Sequence, residues 1–212
     1  MVKSIVIVGG SSDIAKSTIS SISTENYKFH ALVRDDSHTD ELSDLGVNVI
    51  LGDATSEEDI KNFISGVKES GEIHAILHCV GSFAVRPPHA MNKEAFEAVI
   101  STNLTSAFLT LSIAGKAMLS QGHGRMVFMS SVAGSLGLVN HEAISAAKGG
   151  VESMVRSAAA TYANRGLRIN AVAPGLTDTK LASPIMSNET ASQAASQKIP
   201  VKRVGSKEEV AN

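Results

Sequence analysis

Six short apolar runs constrain this chain more than any other feature: Ser4–Val8, Phe29–Val33, Val47–Leu51, Ile73–Cys79, Arg125–Met129 and Leu167–Val172. They are nearly continuous in apolar character rather than alternating, which is the pattern of strands buried on both faces of a parallel sheet. Between them lie segments with helical spacing, among them Asp13–Ser23, Ser56–Glu69, Glu94–Ser120 and His141–Asn164. Thr55-Ser56-Glu57-Glu58 carries a hydroxyl cap and an acidic first turn, the signature of a helix start. Strand and helix in regular alternation imply right-handed crossovers and helices on both faces of a doubly wound α/β sheet. At 212 residues one domain accounts for the whole chain, because single cores stop growing only near ~250–300 residues. The stretch Ala173–Pro200 lacks periodicity and is rich in Pro, Gly, Ser and Thr, so it reads as a mobile loop.

Composition removes several function classes. With 43% hydrophobic and 19% charged residues the chain is ordinary globular material, and a formal net charge of −2 gives no pull toward nucleic acid or an anionic membrane. The lone Cys79 excludes an internal disulfide and fits a reducing compartment. No His, Cys, Asp and Glu cluster has zinc-site spacing, so no metal is expected. No apolar stretch is read as approaching the ~20 residues that span a bilayer, and the short run at the amino terminus does not resemble a signal peptide. The expectation is a cytoplasmic protein.

Directly after the first run comes Gly9-Gly10-Ser11-Ser12-Asp13-Ile14-Ala15. Parallel α/β sheets bind ligands at the carboxyl ends of their strands, beside the first strand. There, glycine lets backbone N–H groups approach a pyrophosphate at a helix N-terminus, and Ser11 and Ser12 add hydroxyl donors. The alternative is a tight strand-to-helix connection with Asp13 as a helix cap. The turn fits a Rossmann-type sheet binding a dinucleotide.

Further residues fall in a telling order: Arg34, Asp53, the pair Val80-Gly81, Asn103, Ser130-Ser131, Lys148 and Asn170-Ala171-Val172-Ala173-Pro174-Gly175. In this order they resemble the short-chain dehydrogenase/reductase family, over residues 2–212, with 3-oxoacyl-ACP-reductase-like members as the nearest pattern. The family's turn reads Thr-Gly-x-x-x-Gly-x-Gly. Here Val8 takes the threonine place, Gly9 the first glycine, Asp13 the second and Ala15 the third. The resemblance implies that Gly9, Ser11, Ser12, Asp13 and Ile14 hold the cofactor's phosphates. It implies that Asp53 and Ala54 meet adenine, and that Val80 and Gly81 pass close to the cofactor in place of the family's Asn-Asn-Ala-Gly. Pro174, Gly175, Thr177 and Thr179 match its Pro-Gly-x-x-x-Thr, which binds the nicotinamide carboxamide and nearby phosphate. Arg34 follows Val33, where an acidic residue selects NAD and a guanidinium pairs with a 2′-phosphate. NADP is therefore expected, with NAD possible, and the competing reading is a surface arginine paired with Asp35 or Asp36.

For catalysis the family uses a tyrosine as proton donor, a lysine four residues later, a serine thirteen residues earlier and an asparagine in the preceding long helix. Ser131, Lys148 and Asn103 match the last three. Both counts converge on position 144, which is Ile144. His141 is a candidate relay or helix-start residue, and Tyr162 lies too far along the helix to substitute. Two readings follow: an NAD(P)-dependent oxidoreductase transferring hydride between carbonyl and alcohol with an atypical proton donor, or a catalytically silent NADP-binding relative acting as sensor, scaffold or partner subunit. A small carbonyl or alcohol is the expected substrate. The Ala- and Leu-rich helices imply, by the same resemblance, a homodimer or homotetramer. The chain's last residues resemble the helix before the family's final strand, so that strand and the C-terminal tail are expected to be lacking.

Overall fold

The computed structural model describes residues 3–23 and 25–212. Six parallel strands, β1 (Lys3–Val8), β2 (Tyr27–Val33), β3 (Val47–Leu51), β4 (Ile73–His78), β5 (Gly124–Met129) and β6 (Leu167–Val172), form one sheet in the order β3-β2-β1-β4-β5-β6. The order reverses at β1, which pairs with β2 on one side (Val8 opposite Leu32) and β4 on the other (Val8 opposite His78). A crevice therefore opens at the carboxyl ends of β1 and β4.

The continuous apolarity of the strands has a direct structural cause. In β1, Val6 and Val8 join a core with Leu32, Ile76, Met126 and Phe128. Ile5 and Ile7 join a second core on the opposite face with Phe29, Ala31, Val33 and Leu77. The first core is covered by α3 (Glu57–Glu69), α5 (Ser106–Gln121) and α6 (Glu142–Tyr162); the second is covered by α1 (Asp13–Ser21) and the short α2 (Thr39–Asp44). Ser56 caps α3, accepting the Asp59 N–H at 3.2 Å, as its sequence predicts.

Three expectations need correction. The helix read as Glu94–Ser120 is α4 (Lys93–Ile100) and α5 joined by a π-helical turn, Ser101–Thr105. The whole run Lys93–Gln121 is long and apolar enough to cross a membrane, which residue-by-residue reading passed over, but it packs on α3, β4 and β5. The stretch 173–200 is not a structureless loop. It holds a 3-10 turn (Lys180–Ala182), α7 (Ser183–Met186) and α8 (Glu189–Lys198), the last capped by Asn188 accepting the Ala191 N–H at 3.0 Å. Serine- and alanine-rich composition hid these helices, because they bury little and show no apolar stripe. Finally, α9 (Lys207–Ala211) packs against α1.

Candidate active site at the carboxyl rim of the sheet

The turn after β1 is shaped by Gly9. Its φ of +85° lies in the left-handed region, and a Cβ there would sit 2.9 Å from Val80. Any side chain would thus be strained and would collide with the segment after β4. At the start of α1, the N–H groups of Asp13, Ile14 and Ala15 have no acceptor among the described residues, and Ser12 makes no side-chain cap. Open N–H groups at a helix N-terminus form an anion site.

Asp13 occupies the second glycine's place, yet its carboxylate is not free to repel a phosphate. Oδ2 accepts the Lys180 N–H at 2.6 Å, and Oδ1 lies 3.7 Å from Lys16 Nζ. Lys16 in turn bonds both carboxylate oxygens of Glu41 at 3.0 and 2.9 Å.

Arg34 is exposed at the end of β2, with no ion pair within 4.0 Å among the described residues. Its neighbour Asp35 is turned away, accepting the N–H and hydroxyl of Ser37, and these bonds hold its carboxyl below the usual range. Asp53 accepts the Thr55 N–H and hydroxyl, each at 2.8 Å; those bonds, and after them the charge of Arg34, depress its pKa. Arg34 and Asp53 therefore share one corner of the rim, with Ala54 packed beneath on the first core.

Asn103 sits at the centre of the π-helical turn, fully buried. Its amide donates to Ser82 Oγ (2.8 Å) and the Val99 carbonyl (2.9 Å), and its carbonyl accepts the Ser82 N–H (3.1 Å). A π turn inserts a residue into the helix ladder and re-aims the side chains there. Here it fixes Gly81 beside the next residue of interest. A Cβ on Gly81 would lie 3.4 Å from Asn103 Oδ1 and 3.7 Å from Lys148 Nζ. Lys148 is 6% exposed, and its ammonium has one protein acceptor, the Met129 carbonyl at 2.8 Å. Burial pushes its pKa down to about 8. An ammonium has three donors, so two have no acceptor among the described residues.

Ser131, two residues past β5, is half-buried, its Oγ accepting the Ala133 N–H at 3.2 Å, and the adjacent Val132 N–H bonds the Pro174 carbonyl at 3.0 Å. Gly175 accepts from the Thr177 hydroxyl at 3.2 Å, while Thr179 bonds the Thr177 carbonyl at 3.4 Å. This segment is pinned from outside by Gly205, which accepts the Asp178 N–H at 2.9 Å.

One residue at this rim escaped the sequence reading. Glu152, one turn beyond Lys148, accepts Ser130 Oγ at 2.9 Å and Ser135 Oγ at 2.7 Å. It ties both ends of the segment carrying Ser131 to the helix carrying Lys148. Helical spacing from Lys148 was a usable signal, but the pairing to residues on another element was not readable.

Ile144 is 8% exposed and packs with Val99, Ala133, Ala143 and Ala147. His141 flanks α6 without capping it; its Nδ1 pairs with the Val139 carbonyl at 2.7 Å. His78 is buried between Thr110 Oγ1 (3.1 Å) and Ser106 Oγ (3.2 Å), and burial lowers its pKa to about 3. Burial likewise pushes the Cys79 thiol up to about 12. Both are packing residues in their resting state. Among the described residues no group of three or more His, Cys, Asp and Glu is placed to hold a metal.

Comparison with known proteins gives a consistent picture. A family model described as enoyl-(acyl carrier protein) reductase matches residues 9–212. The 3-oxoacyl-[acyl-carrier-protein] reductase MabA of Mycobacterium tuberculosis is 31% identical over 210 residues, covering 99% of this chain and 82% of that protein. Cis-4-hydroxycyclohexanecarboxylate dehydrogenase of Sinomonas cyclohexanicum is 36% identical over 161 residues, covering 75% and 64% respectively. Among solved structures, ElxO with NADP bound superposes with a TM-score of 0.91 at 25% identity, covering 100% of this chain and 89% of that one. Levodione reductase superposes with a TM-score of 0.90 at 27% identity, covering 99% and 87%.

Proposed function

The chain belongs to the short-chain dehydrogenase/reductase family of NAD(P)-dependent oxidoreductases, and on that premise we propose that it binds NADP(H) along the carboxyl rim and interconverts a carbonyl and an alcohol without a tyrosine acid. The observation that carries this reading is Lys148, a buried ammonium with a single protein acceptor among the described residues, its Nζ 3.7 Å from where a Cβ on Gly81 would stand.

The residues present fit the dinucleotide. Unacceptored amides at the start of α1 match a diphosphate, Arg34 matches a 2′-phosphate, and Asp53 stands ready beside it for adenine. Gly81 and Lys148 receive the ribose, and Pro174–Thr179 borders the nicotinamide. When bound, the nicotinamide ring supplies or accepts the hydride. The protein's task is then to orient the carbonyl and to move one proton to its oxygen. Ser131 orients it by hydrogen bond. In place of a phenol, the position four residues before Lys148 holds Ile144, an apolar side chain that excludes water but transfers nothing. Lys148 is the acid left at the site. A pKa of about 8 leaves it mostly protonated at neutral pH, close to the operating range that favours a general acid. A homodimer or homotetramer is part of the same proposal, supported by Phe108, 55% exposed on the outer face of α5.

Ile144 also favours a second reading, a nucleotide-binding sensor or partner subunit with no turnover. NADPH oxidation by purified protein, followed with ketones, aldehydes and oxoacyl thioesters, separates the two. The enzyme reading requires activity that disappears in Lys148→Ala and rises in Ile144→Tyr, by up to the ~10²–10⁴-fold a general acid contributes. NADPH binding with no turnover in any form supports the sensor, and absence of binding to either nucleotide removes both.

A further inference from the structure

The piece of chain leaving β5 lies against α6 in a contact with no room for side chains. A Cβ on Gly134 would stand 2.8 Å from Glu152 Oε1 and 2.9 Å from the Gly149 nitrogen, and one on Gly149 would stand 3.1 Å from the Gly134 carbonyl oxygen. Two glycines therefore let backbone meet backbone, and polar groups caught at such a contact need partners. Met129 and Ser130 find theirs in one residue of α6. Lys148 donates its ammonium to the Met129 carbonyl at 2.8 Å and accepts the Ser130 hydroxyl on its own carbonyl at 3.2 Å.

The Ser130 hydroxyl has one proton, and its nearer acceptor is Glu152 Oε1 at 2.9 Å. A carboxylate acceptor also makes the stronger bond. The other carboxylate oxygen accepts the Ser135 hydroxyl at 2.7 Å. Ser130 and Ser135 bracket Ser131 in the chain, with the 3-10 turn Val132–Gly134 between them. Glu152 lies one helical turn after Lys148, within the same unbroken α6. One carboxylate thus grips both sides of Ser131 from the helix that carries Lys148. The Arg156 guanidinium, 3.9 Å away and exposed, adds little to it.

We propose that Glu152 is a positioning residue for the reductase reaction, clasping Ser130 and Ser135 so that the Ser131 hydroxyl and the Lys148 ammonium keep one fixed separation. It acts through those two serines rather than on substrate. The inference rests on the reductase reading of Ser131 and Lys148. Geometry of this kind weighs heavily on rate, since a misplacement of about 1 Å caused far from the reacting atoms can cost on the order of 10²-fold.

Two readouts test this, and the second needs no turnover. The first is NADPH oxidation with acetoacetyl-N-acetylcysteamine, an oxoacyl thioester, with kcat and KM separated. Glu152→Ala is expected to lower kcat by roughly ten- to a hundredfold while KM changes less than about threefold. Glu152→Gln keeps an acceptor oxygen and is expected to stay within about threefold of wild type. Adding Ser130→Ala to Glu152→Ala is expected to cost nothing further, because the two residues act as a unit. Ile64→Val, buried on α3 in the first core, controls for a comparable loss of stability and is expected to leave kcat unchanged. The second readout is the titration of the Lys148 ammonium by NMR in ¹⁵Nζ-lysine-labelled protein. Cys79 and His78 are the titratable groups beside it; burial pushes the thiol up to about 12 and the imidazole down to about 3, so the midpoint reports Lys148. That midpoint, about 8 in wild type, is expected to rise by about half a pH unit or more in Glu152→Ala, because a loosened contact admits water to the ammonium. An unmoved Lys148 midpoint, a Glu152→Gln as slow as Glu152→Ala, or an equally slow Ile64→Val would overturn the proposal. If wild type turns over no carbonyl, the reductase reading fails separately, and the titration still decides whether Glu152 places Lys148.

Discussion

The carboxylate of Asp13, at the start of α1, accepts the backbone N–H of Lys180 at 2.6 Å across 167 residues of sequence. This bond joins the turn after β1 to the segment beyond β6, so that the two borders of the proposed nucleotide site are held by one side chain. Where the family keeps a glycine for close approach to the pyrophosphate, this chain has a latch. Asp13→Ala removes a bond of the charge-assisted kind, worth ~1–3 kcal/mol. The expected outcome is faster NADPH release and weaker binding in stopped-flow fluorescence, together with earlier proteolytic cleavage near 180. Tighter binding in the variant would mean that the carboxylate repels phosphate instead.

Glu152 carries a second structural tie. Glu152→Ala leaves the buried Ser130 hydroxyl with only the Lys148 carbonyl, at 3.2 Å, as acceptor and frees Ser135. Loss of such a bond costs ~0.5–1.5 kcal/mol, or roughly 2–4 °C in Tm for each kcal/mol in a chain of this size. Thermal unfolding checks this. Glu152→Gln, which retains one acceptor oxygen, is expected to lose about half as much.

The pH dependence of Lys148 has a definite sign. Its pKa falls from 10.5 in the unfolded chain to about 8 in the fold. Between those values the unfolded state binds more protons, so this group makes stability rise with pH across that window. Relative to Lys148→Met, which has no charge to bury, wild type is expected to be weaker below pH 8 and to recover by ~3 kcal/mol toward pH 10.5. Urea unfolding of both proteins along the series measures the difference. If Lys148 is also the proton donor, carbonyl reduction declines above pH about 8.

Arg34 is expected to set nucleotide choice. Arg34→Ala should weaken NADPH by ten- to a hundredfold, ~1.4–2.8 kcal/mol, while changing NADH little. Titration calorimetry with both nucleotides checks the ratio. Equal losses for the two would assign Arg34 to the adenine or to the surface.

Much of the fold was legible because it rests on local patterns. The strand limits follow the apolar runs to within two residues, as at Tyr27 against the expected Phe29, since a strand buried on both faces cannot hide in a sequence. The helices of 173–200 were not legible, because α8 buries no residue fully and so leaves no apolar stripe. Gly9, Arg34, Asn103, Ser131 and Lys148 were found by spacing along the chain and by likeness to a family, and the fold places them on one rim.

The amino-acid order by itself determined the alternation of strand and helix, the glycine at a backbone position no other residue tolerates, and the absence of a phenol four residues before Lys148. Tertiary structure decided what those residues do to one another. It turned Asp13 from a charge beside a phosphate site into a clamp on Lys180, and made Glu152 the brace of Ser130. It also left His30 Nε2 buried without a hydrogen-bond partner among the described residues. The physical reason is that local spacing fixes which face a side chain occupies, whereas desolvation and hydrogen bonding depend on neighbours brought from distant parts of the chain.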